Sequence, residues 1–241
     1  MQVIILNSGI GKRMKDLTKN KPKCLVKITK EECILSWQLK LLKQKGIKDI
    51  IITTGPYKEQ IESLIDRYFS DMNVMFVNNR YYESTNYIYS LYLIKDMIKD
   101  DIILLHGDLV FDKNILERLL NTDKKNVVLI NKANKSPSKD FKAIIKNKRI
   151  EKIGVTLNNE FCYLLQPLYK FKRKYFKLWL IEIVKFVEKG FVNVYAETVL
   201  NTLLLEQIKL EEIEFTQELC MEIDNKQDLK KVKQIIRGCK L

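Results

Sequence analysis

Residues suited to phosphate chemistry stand near the start of the chain. Leu6-Asn7-Ser8-Gly9-Ile10-Gly11-Lys12-Arg13 places two glycines and two cations directly after a short apolar run. Glycine leaves no Cβ between backbone N–H groups and a phosphate, and Lys12 and Arg13 add positive charge. The pattern is not a Walker A loop, because G-x-x-x-x-G-K-[ST] is absent, and it lacks the third glycine of the dinucleotide fingerprint. By itself it reads equally as an ordinary strand–turn–helix corner. A second basic segment, Asn20-Lys21-Pro22-Lys23-Cys24, follows closely. Asp108 comes after an apolar run and a glycine, and Asp224 after another short apolar run. Each alone reads as a turn aspartate or as a metal ligand. A carboxylate pair joined by phosphate oxygens suits Mg2+, a hard ion that keeps oxygen ligands. The single histidine, His106, ends an apolar run and reads as a structural residue.

These side chains need elements to bring them together. Apolar spacing predicts strands over residues 3–6, 49–54, 74–77 and 102–105, and helices over 34–45, 58–68 and 88–98. Strand and helix in alternation predict an α/β fold with a Rossmann-like mixed, largely parallel sheet flanked by helices. After about residue 125 the texture changes. Strands are expected over 126–131, 141–146, 149–155, 161–171, 211–215 and 220–223, some paired as hairpins, with helices over 174–189, 197–207 and 226–237. No Pro/Gly/Ser linker and no internal repeat interrupts the chain, so residues 1–241 are expected to form one domain. Open α/β sheets bind ligands beyond the carboxyl ends of their strands. That rule gathers residues 7–13, Gly55, Gly107 and Asp108 around one crevice.

Composition narrows the function classes. Hydrophobic residues make up 46% and charged residues 30% of the 241, as in a globular protein with its own core. No apolar run approaches the length of a membrane span, and residues 1–6 do not read as a signal peptide. The five cysteines form no C-x-x-C pair, which argues against a zinc site or a disulfide framework and for a reducing cytoplasm. The net charge of +13 admits nucleic acid, acidic membranes or small polyanions as partners. The lysines are spread along the chain and no nucleic-acid-binding motif is present, so most of them read as solvated surface charge and nucleic acid is not expected as a partner. The ending Cys239-Lys240-Leu241 only faintly matches a peroxisomal address, and such three-residue endings arise by chance.

The two basic segments read together as LNSGIGKRMKDLTKNKPKCLVKI. This resembles the opening L-A-A-G-x-G-x-R-M/L-x-P-L-T-x-x-x-P-K-x-L-V of the nucleotidyltransferases that activate sugar phosphates and related small phosphates. Asn86-Tyr87-Ile88-Tyr89-Ser90-Leu91 resembles the N-N-I-Y-S-L stretch of the branch that includes bacterial choline-phosphate cytidylyltransferases. Tyr195-Ala196-Glu197-Thr198-Val199-Leu200-Asn201 is similar to that branch's aromatic–acid–L-N stretch, and Glu222-Ile223-Asp224 with Asp228 to its E-I-D-x-x-x-D. The likeness runs from Met1 to about Ile236 and is weakest over residues 125–185.

The resemblance implies a nucleotidyltransferase-type fold, with residues 1–125 as the nucleotide-binding half and 126–241 as the acceptor-binding half. It implies transfer of a nucleotide, CMP from CTP in this branch, to a small phosphate or phosphonate such as phosphocholine or aminoethylphosphonate, with pyrophosphate leaving. Positioning and charge neutralisation dominate such a step. A phosphate nucleophile, with a second pKa of roughly 6, needs no general base. Arg13 and Lys23 take the catalytic role on the β- and γ-phosphates. Leu6, Asn7, Ser8, Gly9, Gly11, Gly55, Ser84, Thr85, Asn86 and Gly107 line the nucleotide, with Asn86 reading the base. Asp108 and Asp224 hold Mg2+. Lys142, Tyr195 and Glu197 are the acceptor-side candidates.

Some positions depart from the family pattern. Asn7-Ser8 replaces Ala-Ala, Pro56 stands where Tyr is common, and Lys170 and Ala196 stand where Trp is expected around a quaternary ammonium. Phe141, Tyr163, Tyr169, Phe191 and Tyr195 remain as other aromatics near those positions. A sugar-1-phosphate nucleotidyltransferase using UTP or dTTP, and a non-catalytic nucleotide-binding regulator, are the rival readings. Homodimers are common in such enzymes, but no interface can be read from the chain.

Overall fold

A computed structural model describes residues 1–133, 140–158 and 160–238. The 239–241 ending lies outside the described residues. Strands β1 (Gln2–Asn7), β2 (Asp49–Thr54), β3 (Asn73–Asn78) and β4 (Ile102–His106) alternate with helices α1 (Ile34–Gln44), α2 (Lys58–Tyr68) and α3 (Tyr87–Leu93). Next come β5 (Leu109–Phe111), α4 (Lys113–Asn121), β6 (Asn126–Asn131), β7 (Lys142–Lys146), β8 (Arg149–Gly154) and β9 (Cys162–Phe171). The chain ends with α5 (Arg173–Glu188), α6 (Ala196–Leu200), β10 (Glu211–Phe215), β11 (Cys220–Glu222) and α7 (Lys226–Gly238).

Nine strands form one mixed sheet in the order β3-β2-β1-β4-β9-β6-β10-β8-β7. β3, β2, β1 and β4 are parallel. β9 runs antiparallel between β4 and β6, and its first residues also pair with β7. The change in texture after residue 125 is therefore the change from parallel to mostly antiparallel pairing, with β10 still parallel to β6. β1 has β2 on one side and β4 on the other, so the chain order switches direction there. This is the place where open α/β sheets bind ligands. Leu6 pairs with His106 across β1 and β4, which sets Asn7 level with the Gly107–Asp108 turn.

Both faces of the sheet are covered, as continuous apolar strands require. Ile4 and Leu104 face one core with Ile88, Leu91 and Trp179 from the helices α3 and α5. Val3 and Ile5 face the other with Leu35, Leu39, Ile61 and Leu116 from α1, α2 and α4. A third, smaller core holds Met14, Val26, Val110, Ile223, Leu229 and Val232. It joins the basic segments near the N-terminus to β11 and α7, and so fixes Arg13 and Lys23 relative to Asp224.

Two expected helices are shorter than their apolar patterns. The 88–98 pattern is α-helical only to Leu93, after which Ile94, Lys95 and Met97 donate three residues back. The 197–207 pattern is helical only to Leu200. There Asn201 leaves the helix pattern to pair with Ile153 of β8, accepting from its N–H at 2.8 Å and donating to its carbonyl at 2.8 Å. The apolar periodicity continues because tight turns bury a face as well as helices do. β5 and α4 were not expected. Asp112 caps α4 by accepting from the N–H groups of Asn114 and Ile115 at 3.0 and 3.1 Å, a signal visible in the sequence.

Candidate active site

The turn after β1 is held by contacts rather than by regular structure. Gly11 has φ of 71°, the left-handed region that glycine accepts without strain. A Cβ there would lie 2.9 Å from the Lys23 Cβ, so the two basic segments touch at this glycine. Thr18 Oγ1 donates to the Gly11 carbonyl at 2.9 Å, and Met14 is fully buried beneath. Gly107 is equally constrained, since a Cβ on it would meet the Asn7 side chain at 1.6 Å.

These constraints aim four charged groups at one cavity of about 320 Å³. Lys23 Nζ bridges Asp108 Oδ2 at 2.5 Å and Asp224 Oδ1 at 2.9 Å. Arg13 Nη2 reaches the same Asp224 oxygen at 2.8 Å, while its side chain stays 58% exposed. Leu6, Asn7, Gly9, Gly11 and Gly107 line the same space, as the motif pattern expects. Burial opposes the charge on Lys23, but Asp108 and Asp224 outweigh it and raise its pKa. Burial pushes Asp108 up, yet Lys23 and His106 outweigh it and hold the carboxyl below its usual value. The cavity thus keeps its ammonium charged at neutral pH.

His106, read from sequence as structural, and Glu222, read only as part of a motif, extend this cluster. His106 Nδ1 lies 2.9 Å from Glu222 Oε1. Ligand atoms of His106, Asp108 and Glu222 all lie within 4.8 Å of one another, and Asp108 Oδ1 is buried with no hydrogen-bond partner among the described residues. Carboxylate oxygens at this spacing, one of them orphaned, fit a hard divalent cation. The alternation of β11 could have pointed to Glu222: it pairs with Leu109 of β5, beside Asp108.

A second cavity of about 340 Å³ adjoins the first and shares Leu6, Gly9 and Asp108 with it. Ser8, Thr85 and Asn86, three of the residues the resemblance assigns to the nucleotide, line it together with Asn79, Tyr82, Tyr87, Ser90, His106 and Asn193. Asn86 caps α3, its Oδ1 accepting from the Tyr87 N–H at 2.7 Å. Gly55 stands behind the wall: a Cβ there would be 2.2 Å from the Ser8 carbonyl oxygen. Ser84 is exposed on the neighbouring turn and does not line either cavity.

The acceptor-side expectations divide. Tyr195 does converge with other rings, its centroid 5.0 Å from Phe141 and 6.2 Å from Tyr87. Tyr87 in turn lies 4.9 Å from His106. Lys142 gives its ammonium to the Val155 carbonyl at 2.8 Å and lines neither cavity. Glu197 is only 1% exposed, so its carboxylate is not open to an acceptor as expected. Its carboxylate accepts from Tyr169 at 2.9 Å and from Tyr87, because a buried charge needs hydrogen-bond donors. Tyr169 is core, Tyr163 sits under Lys132, and Phe191 packs on Phe186. Lys170 points away from the cleft and donates to the Leu120 and Thr122 carbonyls at the end of α4. Ala196 is buried, its carbonyl accepting from Trp179.

Known proteins resemble this chain in sequence and in fold. The chain is 26% identical over 256 residues to the CTP:phosphoglutamine cytidylyltransferase of Campylobacter jejuni, covering 95% of this chain and 98% of that one. It is 38% identical over 104 residues to the choline-phosphate cytidylyltransferase of Streptococcus pneumoniae, covering 43% of each. The solved CTP:phosphocholine cytidylyltransferase of Streptococcus pneumoniae matches with a TM-score of 0.83 at 26% identity over 98% of both chains. The inositol-1-phosphate CTP transferase of T. maritima shares the fold, with a TM-score of 0.81 at 20% identity over 98% of this chain and 94% of that one. A match to the family described as Nucleotidyl transferase spans residues 2–153, taking in β1, both basic segments and Asp108, and the chain belongs to that family.

Proposed function

We propose that this nucleotidyltransferase is a Mg2+-dependent cytidylyltransferase that moves CMP from CTP to a small phosphate or phosphonate. The observation that carries the reading is the convergence of Arg13, Lys23, Asp108 and Asp224 on one cavity at the carboxyl ends of β1 and β4. The whole-length likeness to the phosphoglutamine enzyme and the fold likeness to the phosphocholine enzyme support CTP over UTP or dTTP.

In the proposed reaction an acceptor phosphate or phosphonate oxygen attacks the α-phosphorus of CTP. The α–β bridging P–O bond breaks, and its electron pair leaves on the β-phosphate oxygen of pyrophosphate. Arg13 and Lys23 hold the β- and γ-phosphates and stabilise the charge that grows there. Lys23 starts bonded to Asp108 and Asp224, so it exchanges carboxylate oxygens for phosphate oxygens as the nucleotide enters. Asp108, Asp224 and Glu222 would hold Mg2+, which when bound neutralises phosphate charge. Ser8, Thr85 and Asn86 line the base site, and Gly55 keeps its wall thin. Tyr87, Phe141 and Tyr195 form an aromatic wall for the organic end of the acceptor, with Glu197 orienting Tyr87 from behind. Among the described residues no helix is long and apolar enough to cross a membrane, and the expected setting remains a reducing cytoplasm.

The test is pyrophosphate release with Mg2+, crossing CTP, UTP, dTTP, ATP and GTP with an acceptor panel. The panel holds phosphocholine, phosphoethanolamine, aminoethylphosphonate, phosphorylated glutamine, glycerol phosphate and sugar 1-phosphates. Turnover with CTP and one non-sugar acceptor is the expected result. Turnover with UTP or dTTP and a sugar 1-phosphate refutes the reading in favour of the sugar-nucleotide alternative. CTP binding without release across the panel favours the regulator.

A further inference from the structure

Ser8, which departs from the family's alanine, belongs to a buried chain of hydroxyl and amide groups along the second cavity. Ser8 Oγ donates to Thr53 Oγ1 at 3.1 Å, which also accepts from the Asn7 N–H at 3.2 Å. Ser8 Oγ and Ser90 Oγ are 2.8 Å apart. Asn79 Nδ2 donates to Ser90 Oγ at 3.3 Å and to Thr85 Oγ1 at 3.1 Å. Asn79 Oδ1 accepts from the Tyr81 N–H at 2.9 Å, and Thr85 Oγ1 donates to the Tyr81 carbonyl at 2.8 Å. Ser8, Asn79 and Ser90 are 7%, 1% and 0% exposed, so water does not complete these groups.

The direction of the chain follows from donor chemistry. An amide nitrogen only donates, and a serine hydroxyl has one proton and two lone pairs. The Ser8 proton goes to Thr53, so the Ser90 proton must go to Ser8. The Ser90 oxygen accepts from Asn79, and the Thr85 proton is spent on Tyr81. Each proton on Asn79, Ser90, Ser8 and Thr85 is then committed, and each of the three hydroxyl oxygens keeps one lone pair. Ser8 and Thr85 therefore face the cavity with lone pairs and no free proton, while Ser90, which is fully buried, acts from behind by committing its proton to Ser8.

We propose that this relay selects the base: it accepts the exocyclic 4-amino group of cytosine and rejects the carbonyl that uracil and thymine carry there. The proposal rests on the reading that the second cavity holds the base. A carbonyl oxygen facing these lone pairs would find no donor and would leave its own desolvation uncompensated. Asn79 contributes as a positioning residue, because its amide sets the direction of every proton beyond it.

The test is the ratio of CTP to UTP dissociation constants by calorimetry, with the pyrophosphate assay run beside it. The wild-type chain should bind CTP about 100-fold more tightly than UTP, since the wrong base both loses a hydrogen bond and strands an acceptor. In Ser8→Ala the Ser90 proton loses its acceptor and can turn toward the base, and in Ser90→Ala the Asn79 amide proton can do so. Either change should lower the ratio about tenfold, and Ser8→Thr, which restores the hydroxyl, should bring it back. Equal binding of the two nucleotides by the wild type overturns the relay, as does a CTP preference that neither alanine variant moves. A CTP preference that moves as stated while no acceptor gives pyrophosphate counts against the proposed reaction and not against the relay. Loss of all CTP binding in the wild type overturns both.

Discussion

Lys23→Met keeps the aliphatic stem of Lys23 and removes its charge, leaving Asp108 and Asp224 facing each other without their shared ammonium. In the wild type that ammonium makes two charge-assisted hydrogen bonds, and its side chain is 13% exposed. Hydrogen bonds to charged groups contribute roughly 1.5–3 kcal/mol each. The carboxylates retain about a fifth of their exposure, so the lower end applies and the loss should be about 3 kcal/mol. In a chain of this size that corresponds to a fall in Tm of roughly 6–12 °C. Mg2+ should then act differently on the two proteins. In the wild type it competes with Lys23 for the same oxygens, whereas in the variant it fills a site that has lost its cation. At about 100 times the dissociation constant, a bound ion returns roughly 2.7 kcal/mol, so Mg2+ should recover most of the lost Tm in the variant. Turnover should not recover, because the proposed clamp on the β- and γ-phosphates is gone; loss of one such donor costs roughly 100- to 1,000-fold in kcat. The assay is thermal unfolding with Mg2+ or EDTA, paired with pyrophosphate release. A Tm unchanged in EDTA, or a Mg2+ effect no larger than in the wild type, refutes the proposal that Lys23 sits between two carboxylates that hold Mg2+.

Four further outcomes are expected. Asp108→Asn should keep a cooperative unfolding transition and lose at least about 100-fold in kcat, read by pyrophosphate release. Glu197→Gln places an amide N–H₂ against a tyrosine hydroxyl that donates to the carboxylate, and should cost about 1–3 kcal/mol in denaturant unfolding and raise the KM for the acceptor more than that for CTP. Lys170→Met should leave the acceptor KM within about twofold, because its ammonium serves the end of α4; a larger change would put Lys170 in the acceptor site. For pH, burial lowers the His106 pKa but Glu222 outweighs it and raises it to about 9, while burial and Asp108 raise Glu222 to about 7 against the pull of His106. Both folded values lie above the unfolded ones, so the native state binds the pair's proton more tightly. Without metal, this pair's contribution to stability should be full below the ordinary carboxyl value of 4.5 and be lost as pH rises, first through about 7 for Glu222 and then through about 9 for His106; Glu222→Gln should flatten that part of the Tm profile against pH.

What could be read from the sequence and what could not differ in range along the chain. The turn after β1 was legible because its requirements are local: glycines where the backbone bends, a strand before them and cations after them. The same holds for the parallel half, whose strands are short buried runs separated by helices of regular spacing. Glu222 was harder to read because its role depends on pairing with β5, and β5 itself is three residues long. Glu197 was misread for a related reason. On a helix start a carboxylate usually faces water, and only Tyr87, 110 residues earlier, and Tyr169, 28 residues earlier, make its burial tolerable. The exchange of alanine for serine at position 8 is the sharpest case. As a departure from a motif it reads as a defect in base contact. Given Thr53 from β2, Ser90 from α3 and Asn79 from the turn after β3, the same hydroxyl becomes a link in a chain with one proton direction. A buried hydroxyl without those partners would cost stability, so Ser8 and its neighbours make sense only together. Substituting them one at a time should therefore give changes in nucleotide preference that are not additive.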